Sequence, residues 1–258
     1  MRKRKLHGKI TEEVYKKEVD RITYRDENNK KVKSKVKSNK KKYIIIMIIF
    51  ILIGFMLLLY INRYYLFGRE YVYVDNLYNL KNPIQEKASG TKKITIDGES
   101  VFISKLYSYK IQARVIDTKQ YIGFDLLNKL SPEDMGLAWD FMVEDRNIDK
   151  INCYSHGNRL LNYRIYDNSW LESAGGRERV NQRVSNNHLI PADKTVKGKL
   201  LSIKKGEYVE LEGYLVTAYT TDSDSNIYWM SSDTRTDTGD GACEVIYVTD
   251  VKWLKQKK

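Results

Sequence analysis

The sequence predicts a mainly β, barrel-like domain with one or two helices, carried behind a single transmembrane α-helix. Three observations predict it. Residues 43–61, YIIIMIIFILIGFMLLLYI, run for nineteen positions without a charge. From about residue 93 onward, short apolar runs alternate with polar positions and are separated by turn residues. The charge is also unevenly placed: of a net +12, the first 42 residues hold 17 Lys/Arg against 6 Asp/Glu, so the remainder is close to neutral. A near-neutral folded part argues against nucleic acid as its partner.

Residues 1–42 form a basic arm that ends in KKVKSKVKSNKKK. Beside a bilayer, each lysine there gains about 1 kcal/mol from anionic headgroups, so Lys30 to Lys42 are expected to lie on a membrane surface as a solvated tail. Ile10, Val14, Val19 and Ile22 hint at one short amphipathic helix before it. The apolar run that follows is about 28 Å long as a helix, the thickness of a bilayer core. No small-residue cleavage site follows it, so it reads as an uncleaved anchor. The positive-inside rule then puts the N-terminus in the cytoplasm and the rest outside the plasma membrane.

Residues 62–92 read as a stalk, punctuated by Pro83 and Gly90. The β-rich domain is expected over 93–258. In KITIDGESVFI, Asp97 and Gly98 supply the positive φ angles of a hairpin turn. Tyr109, Ile111, Ala113 and Val115 alternate along a further strand. LSPEDMGLAWDFM, 130–142, reads as a helix with Ser131 as N-cap, Pro132 at its first position and Asp134 three residues after the cap. RLLNYRIY, EYVELEGYLVTAY, NIYWMSS and CEVIYVTDVKWL follow as strands. Gly206, Val209, Leu211, Gly213 and Leu215 form a pattern suited to a small barrel, with Gly213 at a bulge or corner.

Three polar stretches interrupt this pattern: NCYSHGNR, VSNNHLIPA and SSDTRTDTGDGACE. They hold both cysteines and both histidines of the outer domain, and three chemistries compete for them. Cys153 and Cys243 could form a disulfide outside the cell. Cys153, His156, His188 and Cys243 could complete a tetrahedral zinc set, although their spacing is unlike the paired ligands of zinc modules. Alternatively Cys243 is a nucleophile with His188 as its base and Arg235 as an oxyanion partner, supported by Asn187, Asp237 and Glu244. A buried thiol and a core histidine are the plain structural alternative. DSDSN, 222–226, resembles the start of a calcium loop but has Ile227 where a sharp turn needs glycine, so a hairpin loop explains it better. No cofactor or metal is implied.

These stretches carry a resemblance. Ser185, Asn187, His188, Leu189, Ile190, Pro191 and Ala192 match an SxNxHLIPA-type motif of a group of uncharacterised bacterial proteins. Ser231, Ser232, Thr234, Arg235, Asp237, Thr238, Gly239, Gly241, Ala242, Cys243 and Glu244 match its SSxTRxDTGxGACE-type motif. LSPEDMGLAWDFM is similar to the group's LSPxDLxLxWGxM segment and departs from it at Asp140. The resemblance spans about residues 107–250 and implies a common domain with a site around His188, Arg235 and Cys243. Cys153 is not part of the pattern. The anchor, barrel and His/Cys/Arg set are also faintly similar to a sortase, but Arg235 precedes Cys243 instead of following it. The expectation is a membrane-anchored module that binds or senses an envelope protein or glycan; the alternative is a cysteine-dependent hydrolase or transpeptidase.

Overall fold

A computed structural model describes residues 12–61, 68–155, 159–221, 227–234, 237 and 242–258. The chain divides into two units, Met1–Ile61 and Asn62–Lys258. The first is a helix, α1 (Glu12–Ile61). Its C-terminal part is long and apolar enough to cross a membrane, and among the described residues it is the one such helix. The basic arm, expected as a solvated tail, is helical from Glu12. Lys, Glu and Arg are good helix formers, and no glycine or proline occurs between Glu12 and Ile53.

The second unit is built on a nine-stranded sheet. Its strands are β1 (Tyr71–Val74), β2 (Ile84–Lys87), β3 (Thr91–Ile96), β4 (Glu99–Gln120), β5 (Glu133–Ala138), β8 (Val184–Pro191), β9 (Tyr208–Thr220), β10 (Tyr228–Met230) and β11 (Glu244–Gln256). A separate hairpin joins β6 (Ile151–Ser155) to β7 (Leu161–Ile165). Strand β4 pairs with β5, β5 with β8, β8 with β11, β11 with β9, and β9 again with β4. All of these pairs are antiparallel except β8 with β11.

Two expectations are corrected. The segment 62–92 contributes strands to the sheet: Tyr71 pairs with Trp253 and Ile84 with Lys110. Such short strands are recruited through backbone groups by partners far along the chain, so their side chains announce little. The second correction concerns 130–142, where the expected helix is replaced by strand β5. Ser131 closes a short helix, α2 (Leu126–Leu130), instead of opening one. All six β5 residues are buried, because the strand lies between β4 and β8 and is covered on both faces. A strand buried on both sides shows no alternation and is easily misread as a helix. Gly136 fits because a Cβ there would stand 2.9 Å from Leu161 Cδ2.

Asp97 (φ 52°) and Gly98 (φ 90°) form the tight turn between β3 and β4. Gly213 faces Val248 where the register of β11 shifts, and a Cβ there would stand 2.1 Å from the Tyr247 carbonyl oxygen. One apolar cluster draws Ile111 and Val115 from β4, Met135 and Leu137 from β5, Leu189 from β8, Leu211 from β9 and Ile246 from β11. Val196 and Leu200 join it from a helix capped by the Asp193 carboxylate, Lys194–Leu200. Between α2 and that helix lie the short helices α3 (Asp145–Ile148), α4 (Asn168–Ser173) and α5 (Gly176–Asn181), which makes it α6. Each large side chain in this cluster contributes about 1.5–3 kcal/mol by leaving water.

Candidate functional site

The register of β5 on β8 sets Asp134 opposite His188 and Gly136 opposite Asn186, so these residues share one face of the sheet. Glu133, Met135, Asn187 and Leu189 share the other. Strand β11 continues both sets in parallel, with Val245 beside His188 and Glu244 beside Asn187.

On the first face, Asp134 and His188 are buried and their side chains meet: His188 Nδ1 lies 2.9 Å from Asp134 Oδ1, without the alignment of a good hydrogen bond. The same oxygen receives Arg159 Nη1 at 3.0 Å. Arg159 also donates through Nη2 to Asn128 Oδ1 at 2.8 Å and to the Ser131 carbonyl at 3.0 Å. Its guanidinium lies 3.8 Å from the Tyr121 ring centroid and 5.3 Å from that of Trp229. Trp229 packs on His188 with ring centroids 4.4 Å apart. Two aromatic rings thus border a buried carboxylate that faces two cation-forming groups.

Arg159 is held in the left-handed region at φ 62°, which costs a non-glycine residue roughly 1 kcal/mol. Asn186 donates to the Arg159 carbonyl at 2.8 Å. The same amide donates to Cys243 Sγ at 3.4 Å. Asn186 thereby links the thiol to the Asp134 cluster, two residues along β8 from His188. Cys243 and Asn186 line a cavity of about 210 Å³ with Tyr163, Asn181, Ser185 and Asp237. Asp237 accepts a hydrogen bond from Ser232 Oγ at 2.5 Å.

The opposite face is interior. Asn187 Nδ2 donates to the Met135 carbonyl at 3.0 Å and to Ser185 Oγ at 2.9 Å. Glu244 is buried there as well. The structure therefore separates Asn187 and Glu244 from His188 and Cys243, because neighbours along a strand point to opposite faces. Glu133 is also buried on this interior face, and burial pushes its carboxyl up to about 8, opposed by the Gln120 amide and reinforced by Asp134. Burial and then the Asp134 carboxylate push the Tyr121 hydroxyl upward.

Both cysteines are thiols and no disulfide joins them. Cys153 is packed in an apolar cluster with Ile116, Met142 and Val180, and burial pushes its thiol up to about 12. Among the described residues no group of three His, Cys, Asp or Glu side chains is placed to hold a metal. Arg235, His156 and the 222–226 loop lie outside the described residues.

Sequence reasoning missed Asp134, Arg159, Asn186, Tyr121 and Trp229. Asp134 stood in the LSPED stretch, where a helix reading gave its carboxylate a capping role. Arg159 stood in NCYSHGNR, beside the Cys and His that drew attention. Comparison with protein families, with curated proteins and with solved structures finds no match for this chain.

Proposed function

We propose that the chain is a single-pass plasma-membrane protein whose β-rich unit lies outside the cell and binds an envelope ligand at the half-buried Tyr121, Arg159 and Trp229 side chains beside β5 and β8. The nineteen uncharged residues of α1 and the basic residues before them support the anchor and a cytoplasmic N-terminus, with Lys30 to Lys42 at anionic headgroups. The circuit of pairings through β4, β5, β8, β11 and β9 supports reading the domain as a small five-stranded barrel of the OB type. Barrels of that type bind oligosaccharides or single-stranded nucleic acids on the face of their second and third strands. Here those strands are β5 and β8.

The observation that carries the reading is the Asp134, Arg159 and His188 cluster, bordered by Tyr121 and Trp229, on that face. A half-buried guanidinium between two aromatic rings suits a sugar, whose hydroxyls need hydrogen-bond partners and whose C–H faces pack on rings. The near-neutral charge outside the first 42 residues favours a glycan over a nucleic acid. Chitotetraose, titrated into the detergent-solubilised full chain, is expected to change its tryptophan fluorescence. The response should vanish in Trp229→Ala and persist in Cys243→Ala. No response to chitotetraose or to other short envelope glycans would remove the glycan reading.

One observation favours the second reading, a cysteine-dependent hydrolase or transpeptidase using Cys243 and His188. Asp134 stands beside His188 Nδ1 as an orienting carboxylate does, and Asn186 offers Cys243 an amide donor that would stabilise a thiolate. An activated thiol reacts with iodoacetamide well below pH 8 and loses that reactivity in His188→Ala. A Cys243 whose alkylation rate ignores that substitution is not part of such a dyad.

A further inference from the structure

We infer that the loop from Tyr121 to Asp125 is a second membrane contact, in which Ile122 and Phe124 enter the headgroup region of the bilayer that holds α1. This rests on α1 being the membrane span. Ile122 is 99% exposed and Phe124 95%, in a unit whose other large apolar side chains mostly reach a core. Burial of each would gain about 1.5–3 kcal/mol, and the fold leaves that gain unused.

The base of the loop is fastened. Asp125 accepts from the Asn128 backbone at 2.9 Å and caps α2, and Arg159 holds the Asn128 side chain. Gly123 sits so close to Asn128 that a Cβ would stand 2.5 Å from its Nδ2. The two apolar side chains therefore project from a fixed turn.

Three observations select a lipid surface as the occupant. The first is place. Gln120 Nε2 donates to the Leu201 carbonyl at 2.9 Å, directly after α6. Within α6, Lys199 Nζ lies 2.5 Å from Glu70 Oε1. Glu70 is among the first described residues of the second unit, so the loop and the incoming chain flank the same helix. The second is reach: Glu70 follows Ile61 by nine residues, which extend at most about 32 Å. The third is charge: Lys119, Lys194, Lys204 and Lys205 are exposed near Gln120 and around α6, while Lys129, 5.9 Å from the Phe124 ring centroid, is paired with Asp97. Asp193 and Glu207 on this side are engaged, one capping α6 and the other paired with Arg69. Apolar tips on a side of the unit that carries exposed lysines suit an interface of acyl chains and phosphates.

The test uses the full chain reconstituted into phosphatidylcholine and phosphatidylglycerol vesicles, with and without bromine on the acyl chains. Phe124→Trp places a reporter on the loop, and Tyr166→Trp places one at another exposed position, just beyond β7 (71% exposed). Bromine is expected to quench about half of the fluorescence added at 124 and almost none of that added at 166. Equal quenching at the two positions in vesicles that carry the chain overturns the loop contact while leaving the anchor intact. A chain that fails to float with vesicles overturns the anchor itself. Cross-linking of position 124 to a second copy or to another protein, with no quenching, also overturns the inference.

Discussion

Asp134 offers one carboxylate oxygen to both Arg159 and His188 in a buried setting, and that arrangement makes its partners costly to remove. Arg159→Met is expected to lower stability by about 3 kcal/mol, because it strips a hydrogen-bonded cation from a buried carboxylate. Adding Asp134→Asn should recover part of the loss, and urea unfolding of the two variants measures the coupling. Glu133 gives a different signature. Its carboxyl ordinarily titrates at 4.5 and is raised to about 8 in the fold, so between those values the folded state holds more protons than the unfolded chain. Stability should therefore fall as pH rises through that window and level off above it, by on the order of 5 kcal/mol in total. Glu133→Gln should flatten the profile, as denaturation at pH 5 and pH 9 would show. An unchanged slope would place the pH dependence elsewhere.

At the scale of elements, the two cysteines are set apart by the strands that carry them. Cys153 is packed within the β6–β7 layer with its thiol raised to about 12, whereas Cys243 precedes β11 on a cavity wall. Iodoacetamide at pH 8 is expected to modify Cys243 in the native protein and Cys153 only after unfolding, as read by peptide mass. Gly213→Ala tests the bulge in β11. A Cβ would press on the backbone of Tyr247, which cannot rotate away as a side chain does, so the variant should lose several kcal/mol or fail to fold. The hairpin at Asp97 and Gly98 was legible because a tight turn demands particular residues. Strand β5 was not: its six residues are covered on both faces, and nothing local marks that. With β5 misread, Asp134 was lost from the site, since only its register opposite His188 reveals the pair.

For the molecule as a whole, the boundary of the second unit is the testable point. A chain beginning at residue 68 keeps β1, β2 and the contacts of Arg69 and Glu70, and should unfold cooperatively by heat or urea. One beginning at residue 93 loses them and should show a lower, broader transition. The sequence by itself determined the apolar helix, the basic arm and the predominance of strands, because length, charge and turn chemistry are local quantities. Only the tertiary structure decided that Asn187 and Glu244 turn to one face of the sheet and His188 to the other. It alone joined Asp134, Arg159 and Trp229 across about a hundred residues, and it recruited 71–74 into the sheet. Strand register and long-range pairing set those outcomes, and both depend on partners that no local window contains.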